Sequence, residues 1–331
     1  MSISSVSIIG AGGWGTGLAV LFADQGVPVT LWGFEADHVE KLRAERTNQL
    51  YLPGVALPDP VTPTNRLEDC LGAGLVVFVT PSRGIRHTAQ RLAALGLPTA
   101  TPIISCTKGI EHDTGLRMTE IIRAHFPQNP IGALSGPNHA EEVARKRPAA
   151  SVIGFSDPEA AARIQALFST PWFRVYTTDD VAGVELGGAL KNIYAIAAGV
   201  SDGLGFGDNS KAALVTRSLV ELVRLGVELG GRPETFHGLS GIGDLMVTCF
   251  SQHSRNRSLG ERLGRGETLD QITAAMSGIA EGVPTARSAF ECARKAGVTT
   301  PIVDQVYAML FEGKEPRRVL ADLMTRDLRP E

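Results

Sequence analysis

A chain of 331 residues, 43% hydrophobic and 20% charged, has room for about two domains, each with its own core. Its formal net charge of −3 excludes a protein held to nucleic acid or an anionic membrane by bulk charge, and no apolar run reaches the length of a membrane span. The four cysteines, Cys70, Cys106, Cys249 and Cys292, stand singly with no C-x-x-C pair. Neither a disulfide framework nor a metal site is therefore expected. With no basic stretch before the first apolar run, a secretory leader is not expected either, and a reducing, cytoplasmic compartment is.

In chain order, Val6-Ser-Ile-Ile9 is a short β-branched run ending in Gly10. Residues 14–25 read as a helix stopped by Gly26, and residues 27–32 as a second strand. Apolar runs at 75–79, 103–106, 131–134, 151–153 and 173–176 continue the series, separated by turn residues and helical patterns. Such alternation predicts βαβ units, a mostly parallel sheet and right-handed crossovers. From about Asp180 the pattern changes to long helical segments punctuated by glycine, with no convincing strand. The clearest is 211–229, with Asp208, Asn209 and Ser210 as capping candidates and Gly230-Gly231 as its stop. A domain boundary is placed there, giving residues 1–180 and 181–331.

The turn after the first strand reads Gly10-Ala11-Gly12-Gly13-Trp14-Gly15 and fits G-x-G-x-x-G. Each glycine has a mechanical reason. Gly10 permits the tight turn, Gly12 lets a pyrophosphate reach the backbone, and Gly15 lets the helix pack on the strand. The helix N-terminus attracts the phosphates. The fold class expected is thus α/β, a Rossmann-like N-terminal domain followed by an all-α domain, with NAD or NADP as cofactor. The acidic residue that would read a ribose belongs at the end of the second strand. There the chain has Gly33, with Glu35 two residues late and no arginine for a 2′-phosphate, so both cofactors stay open.

Residues 185–199, ELGGALKNIYAIAAG, read as a helix that is apolar or small nearly all round, with Lys191 and Asn192 at its centre. A lysine there must find a partner, shift its pKa or face a cleft. It is a candidate acid/base group; the plainer reading is a lysine snorkelling from the end of a buried helix. Downstream, the glycine-rich 238–243 feeds a helix with Asp244 and Thr248 one turn apart. Asp244 suits a buried ammonium such as Lys191, or simply caps its helix. The cluster Ser251-Gln-His-Ser254-Arg255-Asn256-Arg257 sets arginine at a helix start, a combination that suits a phosphate and is otherwise an exposed basic loop.

Together these residues resemble one family closely, the bacterial type of NAD(P)-dependent glycerol-3-phosphate dehydrogenase. Nearly the whole chain carries the likeness: the glycine turn, Asn48-Gln-Leu-Tyr-Leu-Pro-Gly54, Cys106-Thr-Lys-Gly-Ile-Glu111, Ser135-Gly-Pro-Asn-His-Ala-Glu141, Leu190-Lys-Asn-Ile-Tyr194, Asp202-Gly-Leu-Gly-Phe-Gly-Asp-Asn209, Leu239-Ser-Gly-Ile-Gly-Asp244 and Ser254-Arg-Asn256. The resemblance implies reversible reduction of dihydroxyacetone phosphate to sn-glycerol 3-phosphate, for phospholipid synthesis, and leaves a homodimer open. It implies Lys191 as acid/base, assisted by Asp244, Asn192 and Lys108. The substrate contacts implied are Lys108, Gly136, Asn138, Lys191, Asp244, Thr248, Ser254, Arg255 and Asn256. The cofactor contacts implied are Gly10, Gly12, Gly13, Trp14, Gly15, Gly33, Lys108, Ala140, Arg255, Ile279, Glu281 and Val283. Gly33-Phe34 departs from the family in lacking a basic residue, and Asn138 stands where Ser or Thr is common. Three rivals are weighed: a related dehydrogenase for a hydroxy acid or ketopantoate, which would not need the Ser254-Arg255-Asn256 cluster; a dinucleotide-sensing regulator, which would not need Lys191 beside Asp244; and a helical scaffold, which would not need the glycine turn.

Overall fold

The computed structural model describes residues 3–276, 278–325 and 327. The chain divides into two compact units, Met1–Lys108 with Leu116–Glu185, and Gly109–Gly115 with Leu186–Glu331.

Among its described residues the first unit has ten strands: β1 Val6–Ile9, β2 Val29–Trp32, β3 Thr47–Asn48, β4 Leu52–Ala56, β5 Val61–Thr64, β6 Leu75–Phe78, β7 Ile103–Ser105, β8 Ile131–Ser135, β9 Ala149–Gly154 and β10 Phe173–Thr178. Eight form one sheet in the order β10-β9-β8-β7-β6-β1-β2-β5. All its pairings are parallel except β8 with β9. The stretch β5-β2-β1-β6-β7-β8 has the 3-2-1-4-5-6 strand order of a dinucleotide-binding sheet. The reason is visible in the side chains. Every residue of β1 and β6 is buried, as a parallel strand covered on both faces requires. Ile8 joins the core under helix Gly13–Ala23, and Ile9 the core of the opposite face with Phe78 and Ile121. Burying each such side chain stabilises the fold by about 1.5–3 kcal/mol.

Several elements differ from expectation. The first helix runs Gly13–Ala23 rather than 14–25, and the second strand starts at Val29 rather than 27. Pro28 has no N–H to give to the ladder. The short antiparallel pair of β3 and β4, and β5 at the sheet edge, have no counterpart in the sequence reading. Pro53, Gly54 and Pro63 interrupt their apolar patterns.

From Leu186 on, the regular elements among the described residues of the second unit are helices, including Asp208–Glu228, Pro233–Phe236, Asp244–Phe250, Arg255–Gly264, Leu269–Ala275, Gly282–Ala296, Pro301–Phe311 and Pro316–Met324. The helix expected at 185–199 extends over Val181–Gly203, and residues 183–196 are all buried. Asp208, Asn209 and Ser210 do not cap the next helix; Gly207 holds the cap position, with no side-chain cap bond, and they form its first turn. No helix among the described residues is long and apolar enough to cross a membrane.

Candidate active site

The glycine turn lies at the carboxyl ends of the strands. Gly10 N donates to Trp32 O at 2.9 Å and Val79 N to Ile9 O at 2.8 Å, so the turn leaves the sheet between β1 and β6, where the strand order reverses. Ligands of open α/β sheets bind at such a switch point. Gly10 has φ +131°, and an added Cβ would fall 2.7 Å from Val79 O. A Cβ on Gly15 would fall 1.9 Å from Gly10 O, whereas one on Gly12 would meet nothing within 4 Å. The first two glycines are demanded by the fold; the third leaves open room beside the N-terminus of helix Gly13–Ala23, which no side chain caps. That geometry fits a dinucleotide's pyrophosphate. Ala140 packs beside the turn, 3.9 Å from where a Gly13 Cβ would lie. The indole of Trp14 instead packs edge-on against Phe173 at 6.3 Å, so what Trp14 offers at the turn is its backbone.

Two residues that sequence reasoning did not assign belong here. Asn48, wholly buried, donates to Ala11 O at 3.0 Å and Thr16 Oγ1 at 2.7 Å and accepts from Tyr51 N at 3.2 Å. It pins the turn to the helix that follows. Phe34, two residues past the end of β2, is 63% exposed, a placement suited to stacking on a planar base. An aromatic just beyond the second strand was the available clue. Gly33 is buried, and a Cβ there would fall 2.7 Å from Val39 Cγ2, so close packing accounts for the missing acidic side chain.

Also in the first unit, Lys108 Nζ donates to Gly136 O at 3.3 Å and Asn138 Oδ1 at 3.2 Å. Asn138 Nδ2 donates to Ser151 Oγ at 2.8 Å. Both polar atoms of the Asn138 amide thus have protein partners, which makes it a holder for the Lys108 ammonium. Gly136, at φ +143°, would set a Cβ 2.8 Å from Ser151 Cα.

The second unit assembles the acid/base candidates. Lys191 is 5% exposed. Its Nζ donates to Asp244 Oδ1 and to Thr248 Oγ1, the latter at 2.6 Å. Thr248 Oγ1 in turn donates to Asp244 O at 2.6 Å. The snorkelling alternative is thereby replaced by a buried ion pair. Backbone contact makes the pairing possible: a Cβ on Gly187 would fall 2.4 Å from Ser240 O, so helix Val181–Gly203 lies directly against residues Leu239–Gly243. Those residues form one wide π turn, with Gly243 N bonded to Gly238 O at 3.1 Å, and Asp244 opens the helix after it. Such turns often mark functional sites. Cys249, beside this pair, is inert: burial pushes its thiol up to about 12 against the opposing pull of Lys191 and Lys211, far from the thiolate form that reacts.

Both amide atoms of Asn192 have protein partners. Its Nδ2 donates to Gly188 O at 3.3 Å and its Oδ1 accepts from Asn256 Nδ2 at 2.9 Å. Asn256 Oδ1 accepts from Gly282 N at 2.9 Å. The two amides therefore tie helix Val181–Gly203 to the starts of helices Arg255–Gly264 and Gly282–Ala296. Ser254 is the N-cap of the former, accepting from Arg257 N at 3.1 Å, so its buried hydroxyl also has a protein partner. What this helix start presents outward is the exposed Arg255. Arg255 lies against Gly278, where a Cβ would fall 2.8 Å from Nη1. Ile279 and Val283 follow, half-buried, with Glu281 at the N-cap of Gly282–Ala296.

A mostly parallel sheet with a glycine turn at its switch point, and a helical unit with a buried lysine–carboxylate pair, define a nucleotide-dependent oxidoreductase of two units. Comparison with known proteins narrows this. Models of the NAD-dependent glycerol-3-phosphate dehydrogenase N-terminus and C-terminus match residues 5–161 and 180–321. A protein of Geobacter sulfurreducens named glycerol-3-phosphate dehydrogenase, NAD(P)+, is 48% identical over 330 residues, 98% of each chain. One of the same name from Desulfotalea psychrophila is 45% identical over 334 residues, 99% of this chain and 98% of that one. The crystal structure of glycerol-3-phosphate dehydrogenase from Coxiella burnetii superposes with a TM-score of 0.95 at 36% identity, covering 98% of this chain and 99% of that one. The chain belongs to the NAD-dependent glycerol-3-phosphate dehydrogenase family.

Proposed function

We propose that this chain is an NAD(P)-dependent glycerol-3-phosphate dehydrogenase, reversibly converting dihydroxyacetone phosphate to sn-glycerol 3-phosphate, with Lys191 as the general acid. The observation that carries the mechanism is the buried ammonium of Lys191 held by Asp244 and Thr248. Bound at the glycine turn, with Gly12 and the helix N-terminus against its pyrophosphate and Phe34 on its base, the reduced nicotinamide would supply a hydride to the central carbon. Negative charge then develops on the ketone oxygen. Lys191 protonates that oxygen, and in the reverse direction its neutral amine removes the hydroxyl proton. Asp244 balances the ammonium's charge, and Thr248 fixes its aim. Lys108, steadied by Asn138, is a second cation for the substrate's developing charge. Arg255 and the first-turn N–H groups of its helix take the phosphate. Asn192 and Asn256 act by their side chains as holders of these elements. Such an enzyme would supply phospholipid synthesis from the cytoplasm. Its assembly as a homodimer is a matter for analytical ultracentrifugation.

A ketopantoate reductase from Ralstonia eutropha shares the fold, with a TM-score of 0.62 at 17% identity, but an unphosphorylated acid leaves Arg255 and its helix start without a purpose. The test is consumption of NADH and NADPH, in parallel, with dihydroxyacetone phosphate and with dihydroxyacetone. The phosphorylated ketone should be strongly preferred. The two cofactors should differ by no more than about tenfold, about 1.4 kcal/mol, because Gly33 offers neither carboxylate nor guanidinium. No turnover of the phosphorylated ketone would defeat the reading; a cofactor preference of several hundredfold would reveal a further residue at the 2′ position.

A further inference from the structure

The segment Asp202-Gly-Leu-Gly-Phe-Gly-Asp-Asn209 has no part in the mechanism so far, yet its first residue closes an ionic junction. Asp202 Oδ2 accepts from Lys211 Nζ at 2.8 Å and from Arg257 Nε at 2.7 Å, with Arg257 Nη2 also at 2.7 Å. All three side chains are mostly buried, at 17%, 10% and 16% exposure. Glu261 stands 3.5 Å from Arg257 Nη1 on the same helix. One carboxylate oxygen thus gathers both cations at a single point, with charge-assisted contacts stronger than neutral ones.

The junction joins the elements that carry the proposed chemistry. Asp202 sits at the end of helix Val181–Gly203, the helix of Lys191. Arg257 is the third residue of helix Arg255–Gly264, and its backbone N also bonds the capping Ser254 Oγ. One residue therefore anchors both the cap and the ion pair. Lys211 lies over the Phe250 ring at 4.7 Å, and Phe250 ends the helix that begins at Asp244. A second observation gives the joint its stiffness. A Cβ on Gly199 would fall 2.0 Å from Arg257 O, one on Gly203 2.2 Å from Glu261 O, and one on Gly260 2.0 Å from Ile196 O. The two helices touch backbone to backbone, leaving no slack for side chains to absorb.

We infer that Asp202 is a positioning residue for substrate recognition: through Arg257 it fixes the phosphate-reading helix start relative to Lys191, and so sets the preference for phosphorylated over unphosphorylated ketone. The inference rests on the reading of Arg255 and its helix start as the phosphate site. The phosphate acts as a handle whose binding energy is realised only if its distance from the acid is held.

The test compares kcat/KM for dihydroxyacetone phosphate and for dihydroxyacetone, at saturating NADH, in the full-length enzyme and in Asp202→Asn, Arg257→Lys and Arg255→Leu. Asp202→Asn should lower the value for the phosphorylated ketone roughly tenfold to a hundredfold, while dihydroxyacetone changes by less than about twofold. Arg257→Lys, which keeps the charge but not the fork, should lose less. If Asp202→Asn gives no cooperative thermal melt, Arg257→Lys decides by the same ratio. Equal losses on both ketones, or none, in Asp202→Asn and Arg257→Lys would overturn the inference; if Arg255→Leu still narrows the ratio, the phosphate site itself survives. A ratio that Arg255→Leu also leaves unchanged would defeat the phosphate site and the inference with it.

Discussion

The glycine turn at Gly10 and the ammonium pocket at Lys191 hold charge in place by opposite means. The turn does it with backbone alone. Gly10 and Gly15 remove side chains so that strand, turn and helix can touch, and the helix N-terminus supplies partial positive charge that is never desolvated at folding. The pocket does it with side chains taken out of water: Lys191 and Asp244 are 5% and 1% exposed. Such a pair repays its desolvation only when the geometry is good and the remaining protons find partners, which Thr248 provides. The turn is therefore a matter of shape and the pocket a matter of charge, and they should fail differently.

Lys191→Ala should show the charge failure at full size. Removing a general acid costs on the order of 10²- to 10⁴-fold in turnover, and cofactor affinity, measured by fluorescence titration, should stay within about twofold because the turn is untouched. Gly15→Ala should show the shape failure. A methyl group 1.9 Å from Gly10 O cannot be accommodated without moving backbone, so denaturant unfolding should show a loss of about 1–3 kcal/mol or more.

Glu221 sharpens the contrast, because it is a buried carboxyl held by backbone. It is 3% exposed and accepts from Ile302 N and Val303 N at 2.9 Å each, yet burial pushes its carboxyl from 4.5 up to about 7. A carboxyl raised in the folded state holds its proton more tightly there than in the unfolded chain. Its stabilising contribution is complete below about pH 4.5 and is lost as pH rises through about 7. Glu221→Gln should flatten this part of the stability curve, by up to about 3 kcal/mol between those limits. An unchanged slope in denaturant unfolding at pH 4.5 and 8 would contradict it. The smallest effect is expected at Gly12, where a Cβ meets nothing within 4 Å. Gly12→Ala should leave stability within about 0.5 kcal/mol and weaken cofactor binding about tenfold, read from the same two assays.

The contrast also explains what the sequence disclosed. The glycine turn was legible because its chemistry is local: six consecutive residues carry the reason for each glycine. Lys191 was legible as a problem, a cation amid apolar residues, and Asp244 as one solution. Partnerships between amides were not legible. Asn138, Asn192 and Asn256 look alike in sequence as polar groups able to meet a substrate; in the fold Asn138 pairs with Lys108 and Ser151, Asn192 with Gly188 and Asn256, and Asn256 also with Gly282. Those pairings depend on residues up to dozens of positions away. Ser254, expected at the substrate, also caps its helix. The strands β3 to β5 were missed because Pro53, Gly54 and Pro63 break the apolar pattern; β5 is tolerated because an edge strand can spare a donor. Asn48 reads as a loop residue until its hydrogen bonds to Ala11 in the turn and Thr16 in the helix after it are seen.

The central claim, that Asp244 holds Lys191 as the acid, is tested most directly by the pH dependence of kcat/KM for ketone reduction in the wild-type enzyme and in Asp244→Asn. Reduction requires the ammonium, so activity should fall at high pH as that group loses its proton. Without the neighbouring carboxylate the charged form is less favoured, so in Asp244→Asn the basic limb should move to lower pH and the plateau should fall. A limb and plateau that coincide with the wild-type profile would contradict the account.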